Sequence, residues 1–426
     1  MKLNPKILLA DKFVRGTFVL TTVTFLSSAL NYLVHPLLTR RLTIPEYGDY
    51  QALLSFLTVL GIIGAVITTA LTKEFSALSV SAPEEIKSLR RRAASRLFYL
   101  GIILFALVVV FSGFFNELFK ISQPVTISIA ALSLVYAFPL VVNRALLTGR
   151  QYFSALSFSS FLDSLSRLLL VAALVVFWPL GLVGAAFALG LSSLLPLIFS
   201  FWQIKSVDLP AVAKNFSGSL NKIWRYASLV LWFTALFQFF YNFDMLFVKY
   251  FFSPEEAGLY GALLTIGRII FFVGGSVPLV MFPVVAGLKD DFSSRKYFVL
   301  AKSLGLTALL ALPTALFISI FPEFVIKLVV GVKYLALAPY LSVFAWAMLA
   351  LTLLTVLAQY FLALSRRSGL IILTLGAVVE IILVNFFHAD LWQIIWSLVL
   401  VFGGLSLLLL GLCWSDYLTD RKKYVR

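Results

Sequence analysis

Seven stretches of this chain run for about a bilayer's thickness without one charged side chain: Tyr50–Thr72, Leu97–Phe115, Ile121–Asn143, Leu180–Trp202, Ser303–Pro322, Tyr334–Ser365 and Leu391–Ser415. A hydrocarbon core of about 30 Å needs about 20 helical residues to span it. In lipid every backbone N–H and C=O must be paired within the span, so apolar runs of this length have to be helices. Five more spans appear when one or two ionisable residues are tolerated: Gly16–Thr39 with His35, Phe158–Trp178 with Asp163 and Arg167, Tyr226–Val248 with Asp244, Ala257–Gly287 with Arg268, and Ser368–Phe387 with Glu380. At 61% hydrophobic and 12% charged residues, a soluble core could not hide so much apolar surface. The expected fold class is an all-α polytopic membrane protein of twelve transmembrane helices.

The chain also repeats itself. Glu46-Tyr-Gly-Asp-Tyr-Gln-Ala-Leu-Leu54 and Glu256-Ala-Gly-Leu-Tyr-Gly-Ala-Leu-Leu264 lie 210 residues apart and agree at six of nine positions. Each sits where the first span of a half turns into the second. The spans split six and six, giving an N-lobe over residues 1–204, a central loop over 205–225, a C-lobe over 226–415 and a tail over 416–426. With six spans per half, both halves enter the membrane in the same direction, so the expected repeat is a parallel pseudo-two-fold. The natural substrate site of such a plan is the cleft between lobes. A weaker correspondence aligns Leu147, Arg150 and Asp163 with Leu364, Arg367 and Glu380 at an offset of 217.

Lys and Arg set the orientation. Of 34, 25 fall on the side that also holds both termini and 6 on the other, which predicts cytoplasmic N- and C-termini. The net charge of +15 is therefore a topology signal, with anionic lipid contact as its by-product; no nucleic-acid partner is expected. Cys413, the sole cysteine, permits no intrachain disulfide, and the two histidines, His35 and His388, are not at metal-ligand spacing. No glycine-rich nucleotide loop occurs, and no loop is long enough for a catalytic module; the longest interspan loops are read as Lys73–Arg96 and Gln203–Arg225. A carrier with no cofactor and no metal is expected, rather than an enzyme.

The informative residues are the charges inside hydrocarbon. Each costs several kcal/mol against lipid, on the order of 3 on insertion scales, so each should face a bundle interior or a wet cavity. Asp163 and Arg167, four apart, read equally as a self-neutralising pair on one helix or as an anion-binding arginine whose rotamer Asp163 holds. Arg268 and Asp244 lie on consecutive antiparallel spans, within pairing reach. Glu380 stands alone as a proton or sodium site, or as the acidic partner of an arginine. Arg15 and Arg144 lie near the cytoplasmic mouth, where the plain reading is snorkelling. Asn31, His35, Gln238 and Asn242 give the first span of each half polar groups suited to a cavity wall. Pro36, Pro139, Pro278, Pro283 and Pro313 permit kinks.

The Glu46–Tyr50 stretch, Asp244 followed by Ser253-Pro-Glu-Glu-Ala-Gly-Leu-Tyr260, and Leu147-Thr-Gly-Arg150 leading into the Arg167 span resemble the polysaccharide flippases. These are the Wzx-like, O-antigen branch of the multidrug/oligosaccharidyl-lipid/polysaccharide exporter superfamily. The resemblance implies two lobes in a MATE-like fold of the inner (plasma) membrane, a monomer, and transport of undecaprenyl-pyrophosphate-linked oligosaccharide to the outer leaflet by alternating access. It implies pyrophosphate contacts at Arg167 and Arg268, supported by Arg15 and Arg144. Asp244 and Glu380 become the carboxylates for a coupling H+ or Na+, with Asp163 a charge partner. Implied partners are the lipid-linked oligosaccharide, membrane lipids, and a glycan polymerase with glycosyltransferases. A cation-coupled multidrug exporter of the same fold is the alternative, though it would prefer an acidic, aromatic cavity. The major-facilitator signature loop is missing between the second and third spans, and the fourteen spans usual for peptidoglycan-precursor flippases do not fit the length.

Overall fold

A computed structural model describes residues 12–205, 220–288 and 295–424. Among these residues the structure is helical, with no strand. The chain divides into two compact units, Met1–Ala235 and Leu236–Arg426. The first contains α1 (Lys12–Arg41), α2 (Ile44–Ser81), α3 (Ile86–Val110), α4 (Ser112–Leu118), α5 (Val125–Ala131), α6 (Ser133–Gly149), α7 (Phe153–Val171), α8 (Gly181–Leu191) and α9 (Leu194–Lys205). Helix α10 (Leu220–Phe251) carries the division, and α11 (Pro254–Gly274), α12 (Ser276–Ala286), α13 (Arg295–Ile320), α14 (Pro322–Val329), α15 (Ala338–Ala363), α16 (Arg367–Phe386) and α17 (Leu391–Tyr424) complete the second.

Eleven helical segments among the described residues are long and apolar enough to cross a membrane, and α1, 30 residues long, is a further helix of crossing length. Several crossings join two helices end to end: α5 with α6 over Val125–Gly149, and α11 with α12 over Pro254–Ala286. The outward faces are apolar. Phe177 and Phe386 are 79% exposed and Val110 75%, which suits lipid and not water.

In the first unit α6 is the central helix, packed against α3, α2, α9 and α7, while α1 lies along α7. Close approach of α3 and α6 depends on Gly101, where an added Cβ would sit 2.6 Å from the Leu134 carbonyl oxygen. In the second unit α15 has the central place, against α17, α13, α11 and α12. Both central helices belong to the fourth crossing of their unit, as a duplicated plan requires.

The repeated motif has a local physical cause. Thr43 and Glu46 form a reciprocal capping box at the start of α2, and Ser253 and Glu256 form the same box at the start of α11, each with proline at the first or second helical position. Tyr50 and Tyr260, one turn further on, are both fully buried. The repeat thus marks a helix start followed by a buried phenol.

One loop expectation fails. Lys73–Arg96 is helical except for the short link between Ser81 and Ile86, itself partly a 3-10 turn at Pro83–Glu85. Charged residues mark where a helix leaves hydrocarbon, not where it ends, and α2 continues for 38 residues. Of the expected central loop, Leu220–Arg225 belongs to α10, and 206–219 lies outside the described residues.

Candidate functional site

The two units carry different constellations of intramembrane charge. In the first, α1 and α7 lie side by side and bring Asn31 to Arg167. Asn31 donates through Nδ2 to Ser164 Oγ at 2.7 Å and to the Ser27 carbonyl at 3.2 Å, which orients its Oδ1 as an acceptor for Arg167 Nη1 at 3.4 Å. Arg167 Nε is buried with no hydrogen-bond partner, and no carboxylate within ion-pair distance of this guanidinium occurs among the described residues. Its charge acts on the buried Tyr50 phenol.

Asp163 does not pair with Arg167, contrary to both readings of their spacing. It accepts from Arg144 Nη2 at 3.1 Å and from Ser193 Oγ at 3.4 Å. Arg144 also donates from Nε to Ser159 Oγ at 3.2 Å and from Nη2 to the Ser159 carbonyl at 3.0 Å. Although an i,i+4 spacing puts the two on one face, neighbouring helices take each of them: Arg144 of α6 engages Asp163, and Asn31 of α1 engages Arg167. Arg144 is therefore a compensated strut between α6 and α7, and not a snorkelling side chain.

His35 is enclosed by rings. Its Nδ1 lies 3.0 Å from Tyr47 Oη, which also accepts from Gln51 Nε2 at 2.9 Å, and Tyr32, Tyr47 and Tyr50 stand edge-on to the imidazole. Asp49, also fully buried, accepts from the Ser122 amide at 2.9 Å and so fastens the connection ahead of α5 to α2. The side chain of Arg15 lies outside the described residues.

In the second unit Arg268, 8% exposed, projects from α11 toward α10. Its Nη2 donates to the Tyr241 carbonyl at 3.2 Å and to Asn242 Oδ1 at 3.4 Å, and its guanidinium carbon lies 4.6 Å from the centre of the Tyr241 ring. Asn242 is oriented by Gln238, whose Oε1 accepts its Nδ2 at 2.8 Å. As with Arg167, the Nε of Arg268 is buried and unpartnered.

Asp244 does not contact Arg268 directly, as the span order suggested it would. It accepts from the Tyr260 phenol at 2.9 Å and from the Met245 amide at 2.8 Å. Asn242 and Asp244, two apart, point about 200° apart on α10, so only one can face the arginine. Glu380 on α16 is fully buried, neither carboxyl oxygen has a hydrogen-bond partner, and Asp244 is the neighbouring charge that acts on it. Two carboxyls and a phenol are thus buried together within the second unit. No group of three His, Cys, Asp or Glu suited to a metal occurs among the described residues.

Sequence reasoning missed Tyr241, Tyr260, Ser159, Ser164 and Ser193. Tyr260 had a signal, its identity with Tyr50 in the repeat. The serines had none, because a serine on an apolar helix declares its partner only when the neighbouring helix is placed.

Intramembrane arginines and carboxyls, held inside two helical units that expose apolar flanks, define an all-α multi-pass membrane protein. Similar solved structures include the inward-facing form of a multidrug resistance MATE family transporter of the MOP superfamily, at TM-score 0.79 and 13% identity over 92% of this chain and 95% of that one. The lipid II flippase MurJ, in an inward closed form, matches at TM-score 0.72 and 15% identity over 95% and 90%. A MOP superfamily transporter from Pyrococcus furiosus, described by the reversed polarity of its binding pocket, matches at 0.65 and 15% over 95% and 94%. Residues 13–289 match the polysaccharide biosynthesis protein family, and the chain belongs to that family. No curated protein matches it.

Proposed function

We propose that this protein is a flippase that carries undecaprenyl-pyrophosphate-linked oligosaccharide from the cytoplasmic to the outer leaflet of the inner (plasma) membrane, by alternating access, for surface polysaccharide synthesis. The observation that carries the reading is the pair of guanidinium groups, Arg167 and Arg268. Each is held by one asparagine, each keeps a buried unpartnered Nε–H, and neither has a carboxylate in ion-pair contact. A cation withdrawn from water with no carboxylate in contact costs stability unless a ligand supplies the charge. A diphosphate does so with several acceptor oxygens matched to the guanidinium fork. Asn31 and Asn242 are the positioning groups, with Gln238 behind Asn242. Arg144 is an entry residue only when Asp163 releases it, since Asp163 neutralises it at rest. MurJ, a flippase for lipid II, supports the reading that a fold of this kind can carry a lipid-linked cargo.

Asp244 and Glu380 are the coupling-ion groups in this reading, for H+ or Na+. The same pair is what favours the second reading, a cation-coupled multidrug exporter, because an orphan buried carboxyl also suits a cationic cargo. The biased Lys and Arg distribution supports cytoplasmic termini, and a glycan polymerase and glycosyltransferases are the expected functional partners.

The test is glycan export in a host that depends on this gene, with Arg167→Ala and Arg268→Ala made singly and together, expression checked by blot. Loss of surface glycan with accumulation of the lipid-linked precursor is expected. Normal export from both variants, or restored resistance to cationic dyes with no glycan phenotype, refutes the flippase reading.

A further inference from the structure

We propose that the exposed face of α3 bearing Lys87, Arg91 and Arg96 is a docking surface for anionic phospholipid headgroups. All three side chains are exposed, and they fall within ten residues at the start of a helix whose next three turns face outward with Tyr99, Ile103 and Val110, exposed by 62%, 56% and 75%. At about 100° per residue, the three cations and the three outward apolar residues share one arc of about 180°. The charges therefore stand directly beneath the lipid-facing stripe, at headgroup level, and not in line with an interior cavity. Arg90 marks the opposite side: it turns inward to donate to Asn143 Oδ1 at 3.3 Å, and Asn143 in turn donates to Ser200 Oγ at 2.8 Å. One helix thus sorts its cations, with Arg90 turned into the protein and Lys87, Arg91 and Arg96 toward the membrane surface.

No ion pair joins Lys87, Arg91 or Arg96 to a carboxylate among the described residues. Glu84 and Glu85 precede α3, and Glu85 is buried. Arg92 is exposed on the same arc, and the surface does not depend on it. Three cations on a few square nanometres of interface complement phosphate-bearing anionic lipid, and each contributes roughly tenfold or less in affinity near a charged surface. Long aliphatic stems let these side chains lie along the apolar flank and place their charges among phosphates.

The experiment uses the full chain, purified and reconstituted in vesicles of phosphatidylcholine with or without phosphatidylglycerol, and reads retained lipid by native mass spectrometry and unfolding temperature by tryptophan fluorescence. The wild type should retain phosphatidylglycerol over phosphatidylcholine and unfold at higher temperature in its presence. Lys87→Gln/Arg91→Gln/Arg96→Gln should lose about 100-fold in phosphatidylglycerol affinity. The same number of exposed charges removed elsewhere, Lys120→Gln/Lys302→Gln/Arg367→Gln, should lose at most a few-fold. Inorganic phosphate should not compete at concentrations that leave ionic strength unchanged. Equal losses in the two triple variants, absence of any anionic preference in the wild type, or displacement by free phosphate overturns the proposal. Should the triple variant fail to fold, Arg91→Gln alone is read for a several-fold loss, and Arg91→Lys for its retention.

Discussion

Arg268→Met separates a ligand-binding arginine from a structural one. The substitution keeps length and apolar packing and removes one buried charge. On the loss side are two hydrogen bonds of 3.2 and 3.4 Å, at or beyond the long end of the usual range, and one stacking contact at 4.6 Å on Tyr241. These amount to about 1 kcal/mol each in a partly dry setting. On the gain side is relief from holding an arginine within the hydrocarbon depth, about 2.5–3.5 kcal/mol on insertion scales. The two sides nearly cancel, so unfolding free energy should change by no more than about 1 kcal/mol. Transport should not cancel: losing one charge-assisted contact to a diphosphate removes about 2–3 kcal/mol of ligand binding, a loss of roughly 30- to 150-fold. The measurements are unfolding in lipid vesicles by intrinsic fluorescence and glycan export in a dependent host, with export normalised to folded protein. A drop in stability above about 3 kcal/mol, with export falling only in proportion to protein, would show a strut and refute the reasoning.

Three other predictions follow from the same geometry. Asp163→Asn should destabilise by about 1–3 kcal/mol by stranding Arg144, whereas Arg144→Met/Asp163→Leu should recover most of that loss; additive unfolding energies in this double-mutant cycle would deny the pair. Glu380→Gln should fold normally and abolish any Na+ or pH dependence of export, since the carboxyl has no hydrogen-bond partner to lose; unchanged ion dependence excludes it as a coupling group. Thr43→Ala and Ser253→Ala should each cost about 1 kcal/mol through lost helix capping, with similar values in the two units, and dissimilar values would break the structural equivalence of the repeat.

The helices were legible because lipid leaves the backbone only one economical way to pair itself, and charge-free length reports that directly. Helix ends were less so. Lys73, Lys87 and Arg90 read as loop by charge alone, yet the α2 and α3 helices run through them, since a helix emerging into the interface keeps its own hydrogen bonds. The charged residues themselves were found from hydropathy alone, whereas their partners were not. Asp163 with Arg144, and Asp244 with Tyr260, depend on the rotation of one helix against its neighbour, and a one-dimensional pattern carries no information on that angle. Asn31 and Asn242 were visible as polar residues on corresponding helices, but their task of aiming an arginine appears only when α7 and α11 are in place.

What the duplicated halves kept and what they changed bears on coupling. The capping boxes, the buried tyrosines and an arginine held by an asparagine are shared, while the carboxylates are not: the first unit has the Arg144–Asp163 pair, and the second has the Asp244 and Glu380 carboxyls, with Asp244 acting on Arg268 without direct contact. Asp244 and Arg268 are near enough for each charge to act on the other. At an effective dielectric of about 20, two charges about 8 Å apart interact by about 2 kcal/mol. An Na+ or H+ that neutralises the acidic pocket removes part of the field offsetting Arg268 and strengthens its hold on an anion. By linkage the anion strengthens cation binding to the same extent. Pyrophosphate affinity of the purified protein should therefore rise about tenfold from Na+-free buffer to saturating Na+, or from neutral to acid pH, allowing for screening below the full Coulomb value. Glu380→Gln should flatten that rise, and Arg268→Met should remove it. A fall in pyrophosphate affinity on adding the cation would reverse the sign of the coupling, and would mean that cargo and ion exclude one another in this unit by a route other than the electrostatics of Asp244 and Arg268.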